Sequence, residues 1–237
     1  MSKIVDWLKQ TKRKFKIKKI ILQKTNTVII HPDSLQFIKL NIIGQNNIVK
    51  IGKINAASNA LIIINICGNN NNIDIGDISL SMKLSVQLGQ LHENFGPIHD
   101  SKFIIKDDTS IESLDYITYN SFAKCIIGEQ CMISYNIVLY NSDAHAILEY
   151  GSNKLVNYVD GIYIGEHCWV GKDVTIMKNT YIPSDCIIGA NSLVSGKLEN
   201  EHAIYAGNPA KLVRTNRTWN PNGTQCGYID NLELKCK

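Results

Sequence analysis

The stretch Ile164-Gly165-Glu166-His167-Cys168-Trp169-Val170-Gly171-Lys172-Asp173-Val174-Thr175-Ile176-Met177-Lys178-Asn179-Thr180-Tyr181-Ile182-Pro183-Ser184-Asp185-Cys186-Ile187-Ile188-Gly189-Ala190-Asn191-Ser192-Leu193-Val194 decides the fold. Every sixth residue in it is a β-branched aliphatic: Ile164, Val170, Ile176, Ile182, Ile188 and Val194. That period fits neither an amphipathic helix nor an isolated strand. It is the signature of a solenoid built from flat, three-sided coils. Gly165, Gly171 and Gly189 directly follow the aliphatic residue, where a corner is expected to need the backbone freedom of glycine. Cys168, Val174, Thr180, Cys186 and Ser192, all small or β-branched, stand four residues after it and are expected to fill the remaining interior.

Working outward, the same period recurs at Ile105, Ile111 and Ile117, slips, and returns at Ile127, Ile133 and Leu139. The chain has 237 residues, rich in Ile and Asn, with only five Phe and five Pro. Ile suits strands and Asn suits tight corners, so alternation of the two reads as many short strands joined by turns. Residues 21–103 read as irregular coils and residues 104–199 as the regular array. In the irregular part, Asn69-Asn70-Asn71-Asn72 is either a low-complexity run or a corner, and the flanking strand-like Ile62–Ile66 and Ile73–Ile75 favour a corner. Leu91 to Phe103, with His92 and His99, breaks the pattern. Residues 200–214 read as a closing segment and 215–237 as a polar tail carrying Trp219.

Charge is unevenly placed. The first 19 residues hold eight basic groups against Asp6, a local +7, so a net charge of +4 leaves the body at −3. Residues 1–20 read as a short basic helix, either a solvated cap on the solenoid or a peripheral contact with anionic lipid. No aromatic-basic stripe accompanies the charge, which argues against nucleic acid. No run of 18 apolar residues predicts a membrane-spanning helix, and no apolar leader is visible. Of the seven cysteines, Cys131, Cys168 and Cys186 fall on the small inward position, where a free thiol acts as a small hydrophobe. A reducing cytoplasm is the simplest setting.

The largest lapse in the period is Asn141 to Gly161, which includes Ser142-Asp143-Ala144-His145. A loop of that length inside a compact solenoid is usually functional. His145 there is a candidate general base, since an imidazole titrates near neutral pH. Asp143 in this loop has the residue type of a turn cap, and Asn136 that of a corner. Trp169 falls on an outward position, where an exposed large aromatic calls for a partner. His167 reads as a turn residue. The remaining stretch Ala146–Gly161 is specific to this chain.

The array, the Asp-Ala-His loop, Cys168-Trp169-Val170-Gly171, Ile188-Gly189-Ala190-Asn191-Ser192 and Ala206-Gly207-Asn208-Pro209-Ala210-Lys211 together resemble the hexapeptide-repeat acyltransferases, within them the sugar and polysaccharide O-acetyltransferases. The resemblance is carried by residues 104–214, is softer over 37–90, and is absent from the first 20 residues and from the chain beyond Arg214. It implies an all-β, left-handed parallel β-helix with a protruding loop, which departs from the usual right-handed crossover. It further implies a homotrimer with sites between subunits, acetyl-CoA as donor, no metal, and a sugar hydroxyl as acceptor. On the matching positions it implies His145 as the catalytic base, Asn136, Asp143 and Trp169 as acceptor contacts, and Trp169, Gly171, Gly189, Ala190, Ser192, Lys211 and Arg214 as cofactor contacts. Gly171 and Gly189 would admit the pantetheine arm closely; Lys211 and Arg214 would meet phosphates or form a solvated basic end. Met177-Lys178 and Pro183 depart from the glycine-type corner.

Three rivals accompany this reading. N-acetylation of an amino sugar uses the same scaffold. A γ-type carbonic anhydrase needs three zinc-binding His, two of them close in sequence, and His31, His92, His99, His145, His167 and His202 offer no such pair. A non-catalytic scaffold would have no use for His145, Asn136 and Trp169 together.

Overall fold

The computed structural model describes residues 25–90 and 96–221. The basic segment 1–20, His92 and the tail beyond residue 221 lie outside the described residues. No described helix is long and apolar enough to cross a membrane.

The described chain winds as a parallel β-helix with three faces. Face one stacks Thr27–Ile30, Ile48–Ile51, Asn72–Ile75, Lys102–Ile105, Lys124–Ile127, Gly161–Ile164 and Thr180–Ile182. Face two stacks Ile54–Ala56, the starts of Ile78–Leu88 and Thr109–Thr118, then Met132–Ile133, Trp169–Val170, Ile187–Ile188 and Ile204–Ala206. Face three stacks Ile38–Ile43, Leu61–Asn69, the later parts of the two long strands, Ile137–Tyr140, Thr175–Met177 and Leu193–Val194. The irregular N-terminal coils thus share their stacks with the regular ones.

The registers explain the period. Ile51, Ile75, Ile105, Ile127, Ile164 and Ile182 form one buried column. Leu80, Ile111, Ile133, Val170, Ile188 and Tyr205 form the second. Leu40, Ile64, Val86, Tyr116, Leu139, Ile176 and Val194 form the third. Six residues carry the chain from one column to the next around the prism. Ile117 does not belong to a column: the strand register shifts at Ile111/Ser113, so Tyr116 takes the axial place and Ile117 turns outward. A step of five instead of six exchanges the two faces of a strand. Phe103 likewise rejoins the core rather than the irregular stretch, and stacks on Tyr116 at 4.8 Å.

The glycine corners are corrected by the backbone angles. The left-handed residues are His167, Asp173, Asn179, Asp185 and Asn191, three places after each aliphatic residue, with φ between 51° and 59°. Gly165, Gly171 and Gly189 are absent from the positive-φ set. They are needed because the coils touch: a Cβ on Gly165 would lie 2.4 Å from Ser184 N, and one on Gly171 2.7 Å from Ile188 O.

Polar corners are satisfied one coil at a time. Asn26, Asn47 and Asn71 donate to Gly44 O, Gly68 O and Ile98 O at 2.9, 2.9 and 3.1 Å. Their carboxamide oxygens accept from Asn47 N, Asn71 N and Ser101 N. The Asn run is therefore a corner, with Asn70 left-handed and Asn71 buried. Repeated buried amides are tolerated because each finds partners in the adjacent coil. At the next corner, Thr109 Oγ1 and the thiols of Cys131, Cys168 and Cys186 donate to Gly128 O, Gly165 O, Pro183 O and Asn200 O. The helix closes with Ile204–Ala206, against which Lys211–Arg214 folds back antiparallel.

Candidate active site

The coil that runs through Ile137–Tyr140 does not turn directly onto face one. It leaves at Asn141 and returns at Gly161, forming an arm. Both limbs are anchored. Buried Asn141 donates to Tyr116 Oη at 3.2 Å and to Lys124 O at 2.9 Å, while its own carbonyl accepts from Thr118 Oγ1. Burial pushes the Tyr116 phenol well above its usual range, keeping it neutral in this network. Buried Ser142 donates to Asn120 Oδ1 at 2.6 Å and receives Ala144 N at 3.0 Å. Ala144 is left-handed at φ 63°, a conformation that a residue with a Cβ adopts only when its surroundings impose it. His145 follows this kink, its backbone N–H bonded to Asp143 O at 2.7 Å.

Past His145 the arm is a narrow hairpin, with Leu148 paired to Leu155 and Val156 N donating to Ile147 O. Its returning limb brings Asn157 back: Nδ2 donates to Asp143 Oδ2 at 2.7 Å and to His145 O at 2.8 Å. Lys178, from the coil above, places Nζ 3.1 Å from the same Asp143 Oδ2. The result is an open cleft of about 320 Å³ between Asn120-Ser121, Asp143–Ala146, Leu155 and Asn157–Val159, with exposed His145 on its wall. A cleft of this kind, with an imidazole on its edge, suits proton removal from a bound hydroxyl.

The expected site residues fall into two groups. Asp143 and His145 share the cleft at the corner between faces three and one. What Asp143 does there is hold the arm, since its Oδ2 already accepts from Lys178 and Asn157. Asn136 sits at the corner between faces two and three, left-handed at φ 56°, donating to Asp173 Oδ1 at 2.9 Å. Gly171, Gly189, Ala190 and Ser192 share that second corner. The space beside Gly171 and Gly189 is filled by the next coil, including Ala206 Cβ 2.8 Å from a Cβ on Gly189, so coil stacking by itself requires glycine at both places. The Ser192 hydroxyl is buried between Gly189 O and Gly207 N and is occupied within the fold. Ala190, Lys211 and Arg214 are exposed.

Trp169 lies on face two, with Nε1 3.4 Å from Ser134 Oγ. Its ring is 6.2 Å from Trp219, which the chain brings back over face two. Trp219 stacks on His167 at 4.6 Å and donates Nε1–H to His167 O at 2.8 Å, and His167 Nδ1 lies 2.7 Å from Asp185 Oδ1. The polar tail is thus seated as far as this Trp. Asn157, Lys178, Asn120 and Trp219 escaped the sequence reading. Only Lys178, as a departure from the repeat, and Trp219, as a large aromatic in a polar segment, left any trace there.

Comparison with known proteins agrees with this fold. The profile described as "Bacterial transferase hexapeptide (six repeats)" matches residues 161–196. The chain is 30% identical over 195 residues to the polysialic acid O-acetyltransferase of Neisseria meningitidis, covering 82% of this chain and 85% of that protein. It is 34% identical over 93 residues to the polysialic acid O-acetyltransferase of Escherichia coli O1:K1, a match that spans only 30% of that protein. The solved structures of the polysialic acid O-acetyltransferase OatWY and the polySia-specific acetyltransferase NeuO share the fold. Their TM-scores are 0.66 and 0.58, each at 24% identity, and cover 88% and 89% of this chain and 94% and 95% of theirs. A left-handed parallel β-helix, an array of hexapeptide coils and a relative matched over most of both chains lead to one conclusion: the chain belongs to the hexapeptide-repeat acetyltransferases, in the branch of the sugar O-acetyltransferases.

Proposed function

We propose that this enzyme transfers the acetyl group of acetyl-CoA to a hydroxyl of a surface polysaccharide or its precursor, with His145 as general base. The observation that carries the proposal is the presentation of His145 on a kinked, doubly anchored arm at the edge of an open cleft. The relatives that act on polysialic acid support a glycan acceptor.

The reaction follows from the residue types. The imidazole removes the proton of the acceptor hydroxyl as that oxygen attacks the thioester carbonyl. The tetrahedral oxyanion is stabilised by backbone N–H groups or water, then collapses, expelling the CoA thiolate, which recovers the proton from the imidazolium. No acyl-enzyme forms. The five described thiols are buried away from the cleft, and burial pushes Cys125 far up and Cys186 up to about 11. Lys211 and Arg214, exposed on the closing strand, are suited to the phosphates of the donor.

The separation of His145 from Asn136 and Trp169 on one chain supports a homotrimer in which the cleft of one copy meets the second corner and face two of the next. A CoA-dependent enzyme of this kind is proposed to work in the cytoplasm. The test is His145→Ala: transfer to glycan acceptors, read by mass with labelled acetyl-CoA, falls by about 10²–10⁴ while melting temperature and subunit assembly stay unchanged. Undiminished transfer in that variant would remove the assignment.

A further inference from the structure

The turn after Ile176 carries a lysine that the repeat itself does not require. At the equivalent turn one face earlier, Lys172 extends into solvent with 62% of its side chain exposed; Lys178 is 16% exposed. Its ammonium sits 3.1 Å from Asp143 Oδ2 and donates to Tyr158 O at 3.2 Å. Asn179 beside it donates to the same Tyr158 O at 2.8 Å and accepts Asp160 N at 2.7 Å. Asp143 Oδ2 also receives Asn157, whose Nδ2 holds the His145 carbonyl and whose Oδ1 accepts Ile147 N at 2.8 Å. One carboxylate oxygen therefore joins the outgoing limb of the arm, the returning limb and the next coil.

From this geometry we infer that Lys178 is a positioning residue for His145, acting through Asp143 and Asn157; the inference rests on the general-base reading above. The physical reason is the partial burial of the pair. Asp143 is 23% exposed, so its charge is poorly solvated and draws the arm toward a fixed cation. Remove that cation and the carboxylate turns to water, releasing Asn157 and with it the carbonyl of His145. A base displaced by an ångström loses rate rather than affinity for the donor.

The experiment compares Lys178→Met, Lys178→Arg and Asp143→Asn, each alone and with His145→Ala, by acetyl transfer and thermal melting. Lys178→Met lowers kcat at least tenfold with KM for acetyl-CoA within twofold. Lys178→Arg, which keeps the cation, recovers most of the rate. In the His145→Ala background Lys178→Met adds less than a twofold loss, because no base is left to position. Should Lys178→Met not fold, Asp143→Asn is read the same way, with the same tenfold loss and the same lack of additivity. Wild-type kcat in Lys178→Met or in its Asp143→Asn substitute beside an inactive His145→Ala, or an equal loss in both backgrounds, overturns the inference alone. Full activity in His145→Ala overturns the general-base reading and the inference with it.

Discussion

The arm at 141–160 and the coil Gly161–Met177 are neighbours in sequence and are built by different rules. In the coil, every axial residue is buried and paired with its counterpart one coil away, as Ile133 with Val170 and Leu139 with Ile176. Its position is fixed many times over, by apolar contact and by the close passage of Gly171 against Ile188 and Ala190. In the arm, Ile147, Leu148, Tyr150, Val156 and Tyr158 are exposed, and the fixed points are polar: Asn141, Ser142, Asp143 and Asn157. Apolar repetition makes a rigid wall, and a few directed hydrogen bonds hold one side chain out from it. A group that must meet substrate cannot be placed by burial, which fits the proposed site lying in the part of the molecule with the least core.

That contrast can be broken experimentally. The widest split pairs His145→Ala, with its loss of transfer and unchanged melting, against Gly171→Ala. A Cβ at 171 would lie 2.7 Å from Ile188 O and 2.8 Å from Ala190 N, backbone atoms that cannot yield without shifting a coil. Overpacking of this kind costs about 1–3 kcal/mol, so the melting temperature drops while transfer below it persists. An unchanged melting temperature would show that the coils are not in contact there.

A smaller effect comes from alkali. Burial raises the Cys186 thiol to about 11 from an ordinary value of 9.0, so the folded chain holds a proton that the unfolded chain releases. The associated stability is present below about pH 9 and is lost as pH rises toward 11. Melting measured between these limits falls with pH, and Cys186→Ala flattens the fall; an identical slope in both proteins would remove the thiol from the explanation. Smallest of all is Tyr150→Ser at the tip of the arm, where the side chain is fully exposed. It changes stability by no more than about 0.5 kcal/mol. A larger drop would sharpen the comparison in another way, by showing that the tip is covered by another copy of the chain.

Legibility in the sequence follows the same division. The columns through Ile127, Ile133 and Leu139 and through Ile164 to Val194 were readable because axial burial demands an apolar residue at each step. Ile117 was misread because a shift of one residue leaves the composition of the strand unchanged while exchanging Tyr116 for it at the axis. The glycines were located correctly and explained wrongly: their need comes from the coil above, a neighbour eighteen or so positions away that no local rule of backbone freedom describes. His145 stood out because the period lapses around it. Asn157 and Lys178 did not, since an Asn in a loop and a Lys at a turn are ordinary residues until the Asp143 carboxylate, distant from both along the chain, is folded against them.

By itself the sequence determined the three-sided solenoid and the place where it opens, because an aliphatic residue at every sixth place marks the buried axis and its interruptions are visible against it. The tertiary structure alone decided which residues hold the arm and which face each candidate occupies. Hydrogen bonds and ion pairs such as Lys178 to Asp143 join positions with no fixed spacing, and their partners exist only once the coils are stacked.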